Sequence, residues 1–299
     1  MIISIFKLKK IIIPLKIKKM SFTTNKQNDP QINSEYLIEM YQNLLNEEKD
    51  LKSLFGYMEN QTDINEKMRA MLIDWIIDVH FKFKLKSETL FLTVWLIDKY
   101  LSEKQMKRGR LQLLGVTSML ISCKYEEIYS PEIFDFVYIT ESSYEKKDII
   151  NLELEILKML EFNVTIPISN NFYEIISSLL NFNKQEFYLG KYLLELFLLD
   201  YRSLKYKPSE IANTVCYIIM KYRNNNDISF LDEGANDFIL NYRNNGMNYK
   251  QCYGDIAFLL ENLDSTQLLS VKKKYMTSSC HRVGRVRKIY IDNPSKCKM

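Results

Sequence analysis

The 299-residue chain, 46% hydrophobic and 26% charged, has room for one large domain or two small ones and the composition of an ordinary globular protein. Its 8 Gly and 6 Pro leave few tight turns and favour an all-helical fold. Its five cysteines (123, 216, 252, 280 and 297) lack C-x-x-C spacing, which argues against a zinc ribbon and for free thiols in a reducing compartment. The net charge of +4 is uneven: residues 1–20 hold 6 Lys and no acid, 272–299 hold 9 basic residues and one acid, and the body between them is net −10. An acidic body is a poor match for nucleic acid, whose binding rests on Lys and Arg against phosphate, so no direct nucleic-acid partner is expected.

Residues 1–33 form a basic and polar segment expected to lack fixed structure. Its first part alternates Ile and Leu with Lys and holds no uncharged run near the roughly 20 residues a membrane span requires. A secretory signal is not expected, because no small-residue cleavage site follows a clean apolar core. A mitochondrial presequence would carry Arg, and the first Arg of the chain is Arg69. A surface-lying basic helix is the alternative, interrupted at Pro14, and Met20 offers a second start.

Ser34 is placed to cap a helix running to about Glu47, with Leu37, Met40, Tyr41, Leu44 and Leu45 on one face. Five helices follow, near 64–82, 88–101, 110–126, 131–139 and 144–161, and complete a first domain over 34–163. Ser130-Pro131 reads as an N-cap and first helical residue, and Ser142 to Glu145 as a capping box. Val164-Thr165-Ile166-Pro167 breaks the pattern and marks the domain joint.

The second domain, 164–276, again reads as five helices, near 169–181, 184–201, 208–223, 230–241 and 249–262. Asn224-Asn225-Asn226 and Asn244-Asn245-Gly246 read as loops, and Asp264 to Tyr275 as a last helix. Five helices followed by five suggest a duplicated fold, although the halves share almost no identity. Residues 277–299 read as a basic tail.

Within this series the helix over 68–80 stands out. Met68, Met71, Leu72, Trp75, Ile76 and Val79 follow helical period, and Ala70, Ile73 and Ile77 make the other side apolar as well. Such a helix is either central to a core or buried on one face and adhesive on the other. Arg69 sits amid these residues, and a buried guanidinium requires a carboxylate partner. Catalysis has little support. The chain has two histidines, His80 and His281, without ligand or nucleophile partners at motif spacing, and no glycine-rich phosphate cradle. His80 reads as a plain residue at a helix end.

Met-Arg-Ala-Met-Leu-Ile-Asp-Trp, starting at Met68, closely resembles the opening of the cyclin box of A- and B-type cyclins. Ser87 to Leu90, Trp95 to Tyr100 with Asp98, Arg108 to Leu113, Cys123 to Tyr129 and Phe136 to Thr140 continue the resemblance in order over about 75 residues. It implies an all-α protein of two consecutive cyclin-like five-helix domains with an extra N-terminal helix. It also implies a non-catalytic regulatory subunit without cofactors, paired with a cyclin-dependent Ser/Thr kinase in the nucleus and cytoplasm and active in mitosis. The rivals are a cyclin-fold transcription factor that binds DNA and polymerase, and a degenerate cyclin that serves as a scaffold.

The resemblance assigns residues as well. Arg69 and Asp98 would form an internal ion pair. Lys124 and Glu153 would contact the kinase backbone near its mobile C-helix, within a pocket of Ile121, Tyr125, Leu157 and Phe162; a solvated helix face is the alternative for both charges. Tyr125 stands where Phe is frequent and adds a hydroxyl that needs a partner. Met68, Met71, Leu72 and Trp75, with Asp78 and Gln112, would form a groove for Arg-x-Leu segments of substrates and inhibitors, unless that helix is simply core. Asp78 is one methylene shorter than the usual Glu. Residues 1–68 contain no Arg, so an Arg-x-x-Leu destruction signal cannot lie there in its usual form.

Overall fold

The computed structural model describes residues 36–223, 249–263 and 267–286. Among these residues there are eleven α-helices and no β-strand. An N-terminal helix, α1 (Leu37–Glu48), precedes a first repeat of α2 (Glu66–Phe83), α3 (Ser87–Glu103), α4 (Leu111–Glu126), α5 (Ile133–Ile139) and α6 (Lys146–Met159). The second repeat contributes α7 (Ser169–Leu179), α8 (Lys184–Leu198), α9 (Pro208–Arg223) and α10 (Tyr249–Asn262), and α11 (Ser270–Tyr275) follows. The expected N-cap at Ser34, the helix over 230–241 and the two Asn-rich loops lie outside the described residues.

Helix starts follow local capping chemistry. Asn65 accepts from the Met68 N–H at 3.0 Å and opens α2. The caps expected at Ser130-Pro131 and at Ser142 to Glu145 are corrected. Helix α5 starts after Glu132, whose N–H donates to Asp135, and α6 starts after Glu145, whose N–H donates to Asp148. An aspartate three positions in satisfies an orphan N–H and places negative charge at the positive helix end, so it outcompetes the upstream serines. Pro208 opens α9 as expected.

The centre of the first repeat is α4 rather than α2. Every residue from Leu113 to Cys123 in α4 is buried, whereas Met71 in α2 is 57% exposed. Helix α2 is therefore apolar on two sides for two reasons: Ile73, Ile76 and Ile77 are fully buried, and the Met71 side faces solvent. Gly115 lets the two helices approach, since a Cβ there would lie 2.9 Å from Leu72 Cδ1. In the second repeat, α9 takes the central place, buried from Ala212 to Lys221. The cysteines on these helices are inert packing: burial pushes the Cys123 thiol up to about 12.

Contacts distant in sequence join the repeats. Helix α1 precedes the first repeat but packs on the second: Tyr41 meets the Phe172 ring edge-on at 5.6 Å, and Glu48 accepts from the Ser209 N–H (2.7 Å) and hydroxyl (2.5 Å) at the start of α9. Helix α11 returns to the first repeat, where Ser270 donates to Asp74 through its N–H and its hydroxyl. The expected basic tail from 277 is not wholly a tail, because Val283 is buried and the fold continues to Val286. The helix expected over 264–275 is shorter, spanning Ser270–Tyr275.

His80 lies where α11 meets α2. It is buried between α2 and α11, with Nε2 2.8 Å from the Lys86 carbonyl and Nδ1 3.5 Å from Lys274 Nζ. Burial, together with the Lys274 ammonium, pushes its pKa from 6.5 down to about 4. The folded state therefore favours the neutral ring, and its contribution is complete above about pH 6.5 and lost as the pH falls toward 4. By pH 4.5 the loss should reach about 2–3 kcal/mol. Melting curves of wild type and His80→Gln over pH 7 to 4.5 check this. The wild type is expected to fall more steeply, and parallel curves would refute the assignment.

Candidate functional site

Two surfaces of the first repeat gather the residues singled out from sequence, and one buried pair holds the scaffold beneath them. That pair is Arg69 and Asp98. Arg69 Nε and Nη2 donate to the two Asp98 carboxylate oxygens at 2.6 and 2.7 Å, with both side chains 1% exposed. Arg69 Nη1 also donates to the Leu198 carbonyl at the end of α8, and the Tyr57 hydroxyl donates to Asp98. Burial alone would disfavour the charged guanidinium, but the adjoining carboxylate outweighs it and keeps Arg69 protonated.

The first surface lies where the C-terminal end of α4 meets α6. Lys124 Nζ donates to Glu153 Oε1 at 2.6 Å; the lysine is 52% exposed and the glutamate 14%. Around this pair Tyr125 and Phe162 are exposed, Leu157 is half-buried and Ile121 is buried beneath. The Tyr125 hydroxyl finds Thr165 Oγ1 at 2.5 Å. Phe162 follows Glu161 in the left-handed region (φ 60° and 51°), where non-glycine residues are uncommon, and it is 64% exposed. Its N–H is fixed to the Leu157 carbonyl at 2.8 Å, so the turn presents the ring outward. Glu127 accepts from the Lys86 N–H and the Thr89 hydroxyl, tying the end of α4 to the start of α3.

Sequence reasoning missed part of this surface. Ile150 and Leu154 on α6, Ile128 and Tyr129 after α4, and Phe134 and Tyr138 on α5 are all exposed. The signal was available: α6 carries an inner stripe of Ile149, Leu152 and Ile156 and a second stripe of Ile150, Leu154 and Leu157. One helix needs only one apolar stripe for its own core, and exposed large apolar patches mark interaction surfaces.

The second surface is a groove of about 260 Å³ between α2 and α4, lined by Met68, Met71, Leu72, Trp75, Leu111 and Gln112. Leu72 is its buried floor, and Met71 stands at its exposed edge. Asp78 is not among the lining residues. It pairs with Lys82 one turn on, at 2.8 Å, with Lys82 exposed and Asp78 half-buried. The structure thus places five of the six expected residues in one groove and leaves the acid outside it, already matched by a cation.

The described residues thus form a double helical repeat whose first half exposes an apolar face around an ion pair at one end of α4 and a methionine-lined groove at the other. Models of the cyclin N-terminal domain and the cyclin C-terminal domain match residues 39–165 and 167–288. The chain belongs to the cyclin family. It is 35% identical over 286 residues to a G2/mitotic-specific cyclin-B of Hydra vulgaris, spanning 92% of this chain and 76% of that one. The cyclin-B of Spisula solidissima is 44% identical over 197 residues, which cover 66% of this chain and 46% of that relative. In fold, the viral cyclin from herpesvirus saimiri aligns with a TM-score of 0.60 at 19% identity, over 73% of this chain and 97% of that one.

Proposed function

We propose that this chain is the regulatory, non-catalytic subunit of a cyclin-dependent Ser/Thr kinase acting in mitosis. The observation that carries the reading is the Lys124–Glu153 pair ringed by Tyr125, Leu157 and Phe162. Polar groups at the centre of an exposed apolar ring suit free backbone groups of a partner, with Lys124 donating to a C=O left free at a helix C-terminus and Glu153 accepting from an N–H left free at a helix N-terminus or in a flanking loop. The kinase C-helix would dock there and be held inward. Its Glu could then pair with the ATP-binding Lys, and the activation loop would open. The mitotic role rests on the cyclin-B relatives. The buried free thiols Cys123, Cys216 and Cys252 suit the reducing nucleus and cytoplasm, where we place its action. The rival reading as a DNA-bound transcription factor is disfavoured by the acidic body. Capture of a cyclin-dependent kinase from cell extract by the wild type, and its loss with Lys124→Ala/Glu153→Ala, tests the reading.

The groove is assigned to substrate and inhibitor segments anchored by a Leu, in the manner of Arg-x-Leu, because an adaptable methionine-rich surface suits a branched apolar side chain. Trp75→Ala should spare activity on a short peptide yet weaken phosphorylation of a long docking-dependent substrate, by about 2 kcal/mol or more. Were Trp75 purely core, melting temperature and both activities would fall together, with about 3–5 kcal/mol of stability lost. The Asp78–Lys82 pair also predicts a weak preference for Arg. Lys82→Ala frees the acid and should raise the affinity ratio of Arg-x-Leu over Ala-x-Leu peptides; an unchanged ratio in calorimetry would rule Asp78 out as the reader.

A further inference from the structure

A second cavity, of about 350 Å³, opens along the seam between the repeats and includes none of the residues of the two surfaces above. Phe91, Val94 and Trp95 from α3 and Leu194, Phe197 and Leu198 from α8 form its apolar lining. Trp95 is only half-buried, and its indole N–H donates to no described residue. Lys52, Lys205 and Lys207 also line the cavity, all exposed and none in an ion pair among the described residues. Lys205 Nζ merely lies 4.9 Å from the centre of the Phe55 ring.

The nearby carboxylates are already engaged. Glu210 accepts from the Lys207 N–H, Glu48 from Ser209, and Asp98 from Arg69 and Tyr57. Lys52 acts on Glu103, Lys207 on Glu48 and Lys205 on the Phe55 ring, but no carboxylate closes an ion pair with any of them among the described residues. Three solvent-facing cations around an apolar cavity with a tryptophan in its wall suit a ligand that is both apolar and anionic. The chain's own ends are unsuited, since residues 1–20 carry 6 Lys and no acid, and 272–299 carry 9 basic residues against one acid.

We propose that the seam docks an acidic linear segment of a partner protein. One bulky apolar side chain of that segment enters over Trp95, and carboxylates on either side of it pair with Lys52, Lys205 and Lys207. The site is independent of the kinase face and the groove, so it would operate whether or not those assignments hold.

The test uses the full chain and a fluorescein-labelled peptide, Asp-Glu-Asp-Phe-Asp-Glu-Leu-Asp, followed by anisotropy. Two controls replace its acids by Lys, or its Phe and Leu by Ser. The acidic apolar peptide is expected to bind at least tenfold more tightly than either control, and more weakly as salt rises. The variant Lys52→Glu/Lys205→Glu/Lys207→Glu should lose at least tenfold in affinity while circular dichroism shows it folded, and so should Trp95→Leu, which keeps an apolar group against the core. Met71→Ala, in the other groove, should lose nothing. Equal binding of the three peptides, full affinity in the triple variant, or sensitivity to Met71 instead of Trp95 would overturn the proposal. So would a dimer dissolved by the triple variant, because a second copy would then be the occupant.

Discussion

The isolated Arg69→Ala chain is expected to lose roughly 3–5 kcal/mol of stability and to melt on the order of 10 °C below the wild type. The size of the effect comes from what stays behind. Asp98 would remain 1% exposed with its two guanidinium donors gone and only the Tyr57 hydroxyl still bonded to it. The Leu198 carbonyl would lose its donor as well, loosening the end of α8 from α2. A charge-preserving Arg69→Lys should rescue little, because an ammonium cannot span both carboxylate oxygens in the fork geometry. Thermal melts without any kinase reveal the defect, and a wild-type curve for Arg69→Ala would contradict the pairing.

Loss of Lys124 or Glu153 should act in the opposite way, sparing the isolated chain and impairing its complex. With Lys124 half-exposed, the pair contributes little to folding. At an interface the same groups are desolvated, and removing one member of a buried hydrogen-bonded contact costs about 2–5 kcal/mol. Lys124→Ala or Glu153→Ala should therefore keep its helical circular dichroism and melting temperature while kinase binding weakens at least tenfold. Undiminished affinity in a folded double variant would remove this face from consideration.

The features readable in sequence are those set by neighbours within a few residues or by an unavoidable physical need. Helical periodicity placed α2, α4 and α6 to within a few residues, and a guanidinium among Met68, Ala70 and Ile73 demanded a carboxylate. Long-range placement left no such trace. Nothing local to Glu48 indicates that it will meet Ser209, 161 residues on, and nothing around Asp74 points to Ser270. Even near contacts were missed where two acceptors competed, as when Asp135 and Asp148 took the capping role from upstream serines. Lys82 lies one turn from Asp78, an i,i+4 neighbour that sequence alone could have flagged.

The proposed role of the Lys124–Glu153 face is to switch on a bound kinase. The most direct measurement is the rate at which a purified cyclin-dependent kinase phosphorylates a short peptide: alone, with the wild-type chain, and with Lys124→Ala/Glu153→Ala at equal concentration. A large gain is expected with the wild type, and a rate near that of the kinase alone with the double variant. Equal stimulation by both chains, or none by the wild type, would contradict it.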